Sequence, residues 1–209
     1  MKVYVVGSAI HYADFLEDFK LVASPEEADV VLFTGGEDID PSLYGCKKEP
    51  FTYSNLKRDL EEKEVFEKVK STQLCLGICR GSQLLAALNG ALIVQDVSKH
   101  AISSTHPITD GEMIYQITST HHQMQYPYNL DSKDYTLLFR SLDRRSDHYW
   151  GSGIDVDNII RFGEPEIVLY HKEGLPECLA VQGHPEMIPN SPVAKMISEL
   201  VKDLIDDNR

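Results

Sequence analysis

QLCLGICRGSQLLAALNGALIV, residues 73–94, decides the fold. Residues 73–78 are a continuous apolar run of strand length, and residues 81–89 are apolar almost all round at helical spacing. A helix without a polar face is a buried helix. Asn89-Gly90 supplies a stop signal, and residues 91–94 are again apolar and strand-like. Strand, buried helix and strand in succession are the parts of a sheet covered by helices.

The junction of the first strand with the helix reads Gly77-Ile78-Cys79-Arg80-Gly81, a GxCxG form. It is the thiol counterpart of the GxSxG turn, in which a nucleophile stands on a sharp strand-to-helix bend. Glycine on either side lets strand and helix approach. The helix start favours thiolate, and the amide of Arg80 is free to face an oxyanion. The bland alternative is a structural cysteine beside a glycine-rich turn. Cys75 alternates within the strand and is expected to be core packing.

Working outward, residues 2–6 (KVYVV) and 29–33 (DVVLF) read as strands, and residues 179–182 as a last one. Tyr12, Phe15, Leu16 and Phe19 fall at i, i+3, i+4, i+7 and predict a helix; Ser24-Pro25-Glu26-Glu27 predicts only a short turn. Residues 56–70 predict a surface helix, with Leu56, Leu60, Phe66 and Val69 on roughly one face. Asn190 or Ser191 caps a final helix with Pro192 at its first position and an unbroken stripe through Val193, Met196, Ile197, Leu200, Val201, Leu204 and Ile205. Residues 111–170 are richer in short alternating segments and read as β-hairpins and loops. The expected class is α/β: a three-layer sandwich, its mainly parallel central sheet covered by helices, plus a small β-hairpin region. No linker or repeat divides the chain, so residues 1–209 are expected to form one domain.

Twenty Lys and Arg against 33 Asp and Glu give a net charge of −13. That balance disfavours nucleic-acid partners, which need clustered cations to replace counterions. No apolar stretch approaches the roughly 20 residues of a membrane span, and no signal peptide is visible. Cys46, Cys75, Cys79 and Cys178 have no metal-finger spacing. A cytoplasmic, reducing location is the expectation.

A thiol nucleophile works with an imidazole that a further acceptor orients. Val181-Gln182-Gly183-His184-Pro185-Glu186 offers both, because residues i and i+2 of an extended chain point the same way, and Pro185 biases His184 toward extended backbone. Taken alone, HPE after a strand is also a common turn. The tandem His121-His122 has no third metal ligand at suitable spacing, and the other histidines show no pattern, so neither metal nor cofactor is expected.

Six ordered motifs resemble the class I glutamine amidotransferase family, and more closely its stand-alone γ-glutamyl hydrolase branch, peptidase C26, which includes γ-glutamyl-γ-aminobutyrate hydrolases. They are TGGEDIDPSLYG (34–45), Arg58-Asp59, LGICRGSQLL (76–85), NGALIVQD (89–96), STHHQ (119–123) and VQGHPE (181–186). The resemblance implies a flavodoxin-like fold and a catalytic triad of Cys79, His184 and Glu186. It implies an oxyanion hole from the amides of Gly36 and Arg80, with Gly35 beside them in the loop. It places Gln83, Ser119, His121, His122 and Gln123 against the glutamate moiety of a substrate.

The implied reaction is hydrolysis of a γ-glutamyl amide through a thioester, on a small-molecule substrate. The alternatives are a glutaminase subunit serving a separate synthetase partner, or a catalytically silent binding module; a homodimer stays open. Three departures carry expectations. Few elements precede the TGG motif, so the sheet should be reduced at that edge. Gly183 stands where the family often has an aromatic, which should widen the pocket. Residues 140–161 match no family motif and read as a substrate-facing loop, a partner contact or a solvated charged turn.

Overall fold

The computed structural model describes residues 1–207. In chain order the strands and helices are β1 (Lys2–Val5), β2 (Lys20–Leu21), β3 (Val30–Phe33), α1 (Leu56–Phe66), β4 (Leu74–Ile78), α2 (Arg80–Leu88), β5 (Leu92–Val94), β6 (Asp96–Val97), β7 (Ala101–Thr109), β8 (Ile114–Thr120), β9 (Met124–Tyr126), β10 (Tyr135–Ser141), β11 (Tyr149–Trp150), α3 (Val156–Phe162), β12 (Pro165–Tyr170), β13 (Cys178–Val181) and α4 (Pro192–Asp207).

Nine strands form one sheet in the order β2-β1-β3-β4-β13-β12-β10-β7-β8. From β2 to β13 every pairing is parallel, and from β13 to β8 every pairing is antiparallel. Side chains alternate across the parallel half. Val30, Leu32, Leu74, Leu76, Leu179 and Val181 point into one buried cluster with Val193, Ile197 and Val201 of α4. Val31, Phe33, Cys75, Cys178 and Ala180 point into the other, against Phe66 of α1 and Leu84 and Leu85 of α2. Helices thus cover both faces, giving the three layers expected for strands buried on both sides. The expected hairpin region is larger than foreseen, because β7 and β8 extend the main sheet itself. Cys75 is fully buried, and burial raises its thiol well above the usual range, as befits a packing residue. The four cysteines are free thiols.

Several sequence expectations are corrected. The helix expected from Tyr12 to Phe19 is a single 3-10 turn over Ile10–Ala13, followed by further turns. It lacks a side-chain N-cap, and its few residues must reverse the chain so that β2 can pair parallel to β1. So short a segment does not meet the nucleation cost of an α-helix. Phe15 and Leu16 are still buried, so the apolar spacing reported burial rather than helix. No α-helix joins β1 to β3, and the reduced edge expected there is met by the two-residue β2. Helix α1 stops at Phe66, and Leu56 and Leu60 lie exposed rather than on its buried face. Residues 101–109 form a strand that the sequence reading passed over, and residues 156–162 form α3. Among the described residues, no helix is long and apolar enough to cross a membrane.

The β4–α2 bend is as tight as the GxCxG form requires. A Cβ on Gly77 would lie 2.5 Å from Gly81 O, and one on Gly81 would lie 2.1 Å from Phe33 O. Both obstacles are backbone atoms, which side-chain rotation cannot relieve. Gly81→Ala is therefore expected to lower the unfolding free energy by about 1–3 kcal/mol, as overpacking does, read from a urea midpoint shift at unchanged slope.

Candidate active site

Cys79 stands between the last residue of β4 and the first of α2 with φ of +53° and ψ of −109°. Positive φ is rare for a residue with a Cβ and persists only where the surroundings enforce it. Here they do: Cys79 N donates to Val181 O of β13 at 2.8 Å, while Cys79 O accepts from the Ser82 hydroxyl at 2.6 Å and from the Ser82 and Gln83 amides. The thiol is thereby held at the start of α2, where the amide of Arg80 has no partner within its own helix.

Strand β13 also leads to His184. Three residues past its end, His184 Nδ1 meets Glu186 Oε1 at 2.7 Å. The Thr118 hydroxyl of β8 clamps the backbone between them, accepting from His184 N at 2.6 Å and donating to His184 O at 3.2 Å. Burial opposes charging of His184, but hydrogen bonds to Cys79 and Glu186, reinforced by their charge, prevail and raise it to about 10. With Nδ1 engaged by the carboxylate, Nε2 is left for the thiol. The structure thus brings Cys79, His184 and Glu186 together, with the ring of His184 between the other two.

Gly35 and Gly36 follow β3 and pass close over the same point. A Cβ on Gly35 would lie 2.6 Å from the Tyr12 hydroxyl and 3.1 Å from His184 Cε1; one on Gly36 would lie 2.1 Å from Arg58 Nη1. Arg58 fixes this loop by donating to Gly35 O at 3.0 Å and to Glu37 Oε2 at 2.7 Å, and its Nε donates to Glu62 at 2.8 Å. The neighbouring Asp59 and Glu62 grip the guanidinium of Arg80, which is 1% exposed, and the other oxygen of Asp59 accepts from Asp40 N at 2.9 Å. Arg80 entered the sequence reading for its amide alone. Its side chain ties α2 to the glycine loop through α1, so the Arg58-Asp59 pair has a mechanical meaning.

Tyr12 is a site residue that sequence reasoning missed, having taken it for one face of a helix. Its hydroxyl reaches Gly35, its ring lies 6.1 Å from that of His184, and burial together with Glu186 and Cys79 raises its pKa. Nothing near Tyr12 in sequence could have signalled this.

The residues expected to line a glutamate pocket divide. Gln83 donates to Gln123 O at 2.9 Å, and His121 Nδ1 bonds the same carbonyl at 2.8 Å, so these three meet next to α2. Ser119 is fully buried and commits its hydroxyl to His100 O at 2.6 Å. His122 leaves the group: its Nε2 pairs with Asp38 at 2.9 Å and its Nδ1 with Asp96 at 3.2 Å, and those carboxylates raise its pKa. The tandem histidines therefore serve separate surroundings. His148, from the segment without a family motif, reaches the same Asp96 at 2.6 Å, and β11 pairs with β6. Residues 140–161 are thus folded onto the rest of the chain, with Tyr149 and Ile159 buried in a small cluster with Val94, Val97, Met124 and Tyr126.

Two further expectations are corrected. Gly183 does not widen the pocket: a Cβ there would lie 2.5 Å from Ile117 Cγ1 and 2.7 Å from Thr118 O, so β8 occupies that space. The remaining histidines are not scattered in space, because His100 and His106 lie together against Glu166.

Asp59→Asn tests the Arg80 network. It leaves a buried guanidinium short of one negative partner and is expected to cost about 3–5 kcal/mol of stability, measured by urea unfolding.

The sequence model of the Peptidase C26 family matches residues 15–147. Protein NtpR of Enterococcus hirae is 30% identical over 147 residues, and the glutamine amidotransferase-like protein YvdE of Lactococcus lactis is 26% identical over 162. The alignments cover 56% and 76% of this chain, and 62% and 66% of the lengths of those relatives. Among solved structures, a protein from Thermoplasma acidophilum assigned as a GMP synthase subunit superposes with a TM-score of 0.63 at 19% identity, over 99% of this chain and 94% of its own. PurLQS from Thermotoga maritima superposes with a TM-score of 0.61 at 13% identity, over 98% of each. At such identities these structures speak for the fold, which is that of the class I glutamine amidotransferases. With the sheet, the cysteine elbow and the profile match in agreement, the chain belongs to the Peptidase C26 family of class I glutamine amidotransferase-like proteins.

Proposed function

We propose that this protein hydrolyses a γ-glutamyl amide bond with Cys79 as nucleophile. The observation that carries the reading is the contact of His184 with Glu186 at 2.7 Å beside a cysteine held at positive φ. Cys79 thiolate attacks the γ-carbonyl carbon, and the carbonyl electron pair moves to oxygen, facing the amides of Gly36 and Arg80. As the tetrahedral intermediate collapses, the C–N bond breaks and His184 gives its proton to the departing amine. A γ-glutamyl thioester remains. Water then attacks it, losing a proton to His184, and the C–S bond breaks to release glutamate and restore the thiolate. Glu186 holds the ring and stabilises its charged form throughout. Gln83, His121 and Gln123 are proposed to face the glutamate moiety, with Tyr12 positioning the ring of His184.

A second reading is a glutaminase that passes ammonia to a separate synthetase. It is favoured by the likeness of the fold to PurLQS and to the protein assigned as a GMP synthase subunit. Glutamate release from L-glutamine and from a panel of γ-glutamyl amines and peptides separates the two. Turnover of one γ-glutamyl amine well above glutamine by the chain alone is the expected result. Glutaminase activity appearing only with an added synthetase supports the second reading, and no turnover under either condition overturns both.

In Cys79→Ala the rate is expected to fall by several orders of magnitude, about what loss of a nucleophile costs elsewhere. The pH profile provides a separate check. His184 is protonated below about 10, and the first step needs that proton, so kcat/KM should fall as pH rises through about 10. Glu186→Gln removes one of the groups favouring imidazolium and should move this basic limb to lower pH. A limb unmoved by Glu186→Gln would exclude Glu186 as the orienting acid.

A further inference from the structure

Away from Cys79, the antiparallel half of the sheet buries a second group of chemically active side chains. His100 lies just before β7, His106 on β7 and Glu166 on β12; all three are at most 1% exposed. One ligand atom from each lies within 4.8 Å of the others. Glu166 Oε1 is 3.1 Å from His106 Nε2 and 3.8 Å from His100 Nδ1. Ligands about 2.0–2.2 Å from a tetrahedral zinc ion stand about 3.3–3.5 Å from one another, which these separations bracket.

We propose that His100, His106 and Glu166 form a structural site for a divalent transition-metal ion, zinc by its donor set. Three features distinguish it from a pair of buried ion pairs. First, among the described residues neither oxygen of Glu166 receives a hydrogen bond, and neither does His106 Nε2 make one, although Oε1 and Nε2 are 3.1 Å apart. A protonated imidazole would aim its N–H at the carboxylate; here nitrogen and oxygen are close without being aligned, as ligands of a common ion are.

Second, the other nitrogen of each ring lies near an oxygen, as in metal-bound histidines, although His100 Nε2 makes no aligned hydrogen bond to its neighbour. His106 Nδ1 is 3.4 Å from the Ser141 hydroxyl, and His100 Nε2 is 3.2 Å from Glu164 Oε2. The Ser119 hydroxyl lies 3.5 Å from His100 Nδ1 but donates to His100 O at 2.6 Å, so it leaves that lone pair free. Glu164 is in turn held by the Tyr149 hydroxyl at 2.7 Å and the Ser146 amide at 2.8 Å. Residues 140–161 thus supply the outer support.

Third, the three side chains are buried together, and an ion bound among them would pin the start of β7 to β12. His121 Nε2 is also buried without a hydrogen-bond partner among the described residues, and its ring is 4.8 Å from that of His100, so a further imidazole adjoins the set.

The test is metal content. The Cys79→Ala chain, which removes the reactive thiol as a rival ligand, is produced with added zinc and passed over a chelating resin. About one zinc per chain is expected to remain, and chelator stripping with guanidinium present should release it and lower the melting temperature after refolding without zinc. Glu166→Gln is expected to reduce retention at least tenfold. Asp96→Ala, which disrupts the half-exposed His122–Asp96–His148 cluster, should leave it unchanged. If Glu166→Gln does not fold, zinc-edge X-ray absorption on the Asp96→Ala chain decides, with two imidazoles in the first shell expected. A folded wild-type chain without zinc, zinc lost in Asp96→Ala but kept in Glu166→Gln, or a first shell without imidazole would each overturn the proposal.

Discussion

Helix α2 has to begin within one residue of the end of β4, and the rest of the site depends on that constraint. Strand and helix can meet so closely only where no side chain intervenes, which is why Gly77 and Gly81 have backbone atoms where a Cβ would go. The bend forces Cys79 into positive φ, and the strain is carried by hydrogen bonds from β13 and from the first turn of α2. The same bond from Cys79 N to Val181 O ties β13 to the bend, so the strand that leads to His184 is registered on Cys79 itself. The meeting of Cys79, His184 and Glu186 follows from sheet register.

A second layer of control is electrostatic. Arg80 occupies the first position of α2 but its guanidinium is buried between Asp59 and Glu62 of α1. Arg58, one residue from Asp59, reaches instead to the loop at Gly35 and Gly36. Two arginines and two acids thereby couple the helix that begins at Cys79 to the loop proposed to hold the oxyanion. A buried pair of this kind gives modest net stability, because desolvation offsets the attraction. Its value here is positional: neither group can shift without leaving a charge unpaired.

The antiparallel half of the sheet has a different character. Where the parallel half buries aliphatic side chains on both faces, β7, β10 and β12 bury His106, Ser141 and Glu166, with His100 and Glu164 beside them. Residues 140–161 close over this polar group through Tyr149 and Ser146 and also bring His148 to Asp96, near His122. Residues 140–161 therefore support both the polar cluster and the rim of the site.

Local pattern made much of this legible. The apolar strand, the all-round apolar helix and the GxCxG junction between them pointed to a covered sheet with a tight strand-to-helix bend at Cys79, because only glycine permits that approach. His184 and Glu186 were readable as partners because they are two residues apart in extended chain. Where local pattern failed, the deciding contacts were distant. Tyr12 lies at the site because the chain after β1 turns back over Gly35, and apolar spacing there recorded burial without specifying conformation. Gly183 could be read as a vacancy until β8 was seen to fill it. His100, His106 and Glu166 are separated by a hairpin and by residues 140–161, and only strand pairing brings them within reach. Order along the chain established which residues can bend, alternate and ionise. Which of them meet was settled by strand pairing and packing, since spacing along the chain constrains neighbours and says nothing of distances between strands.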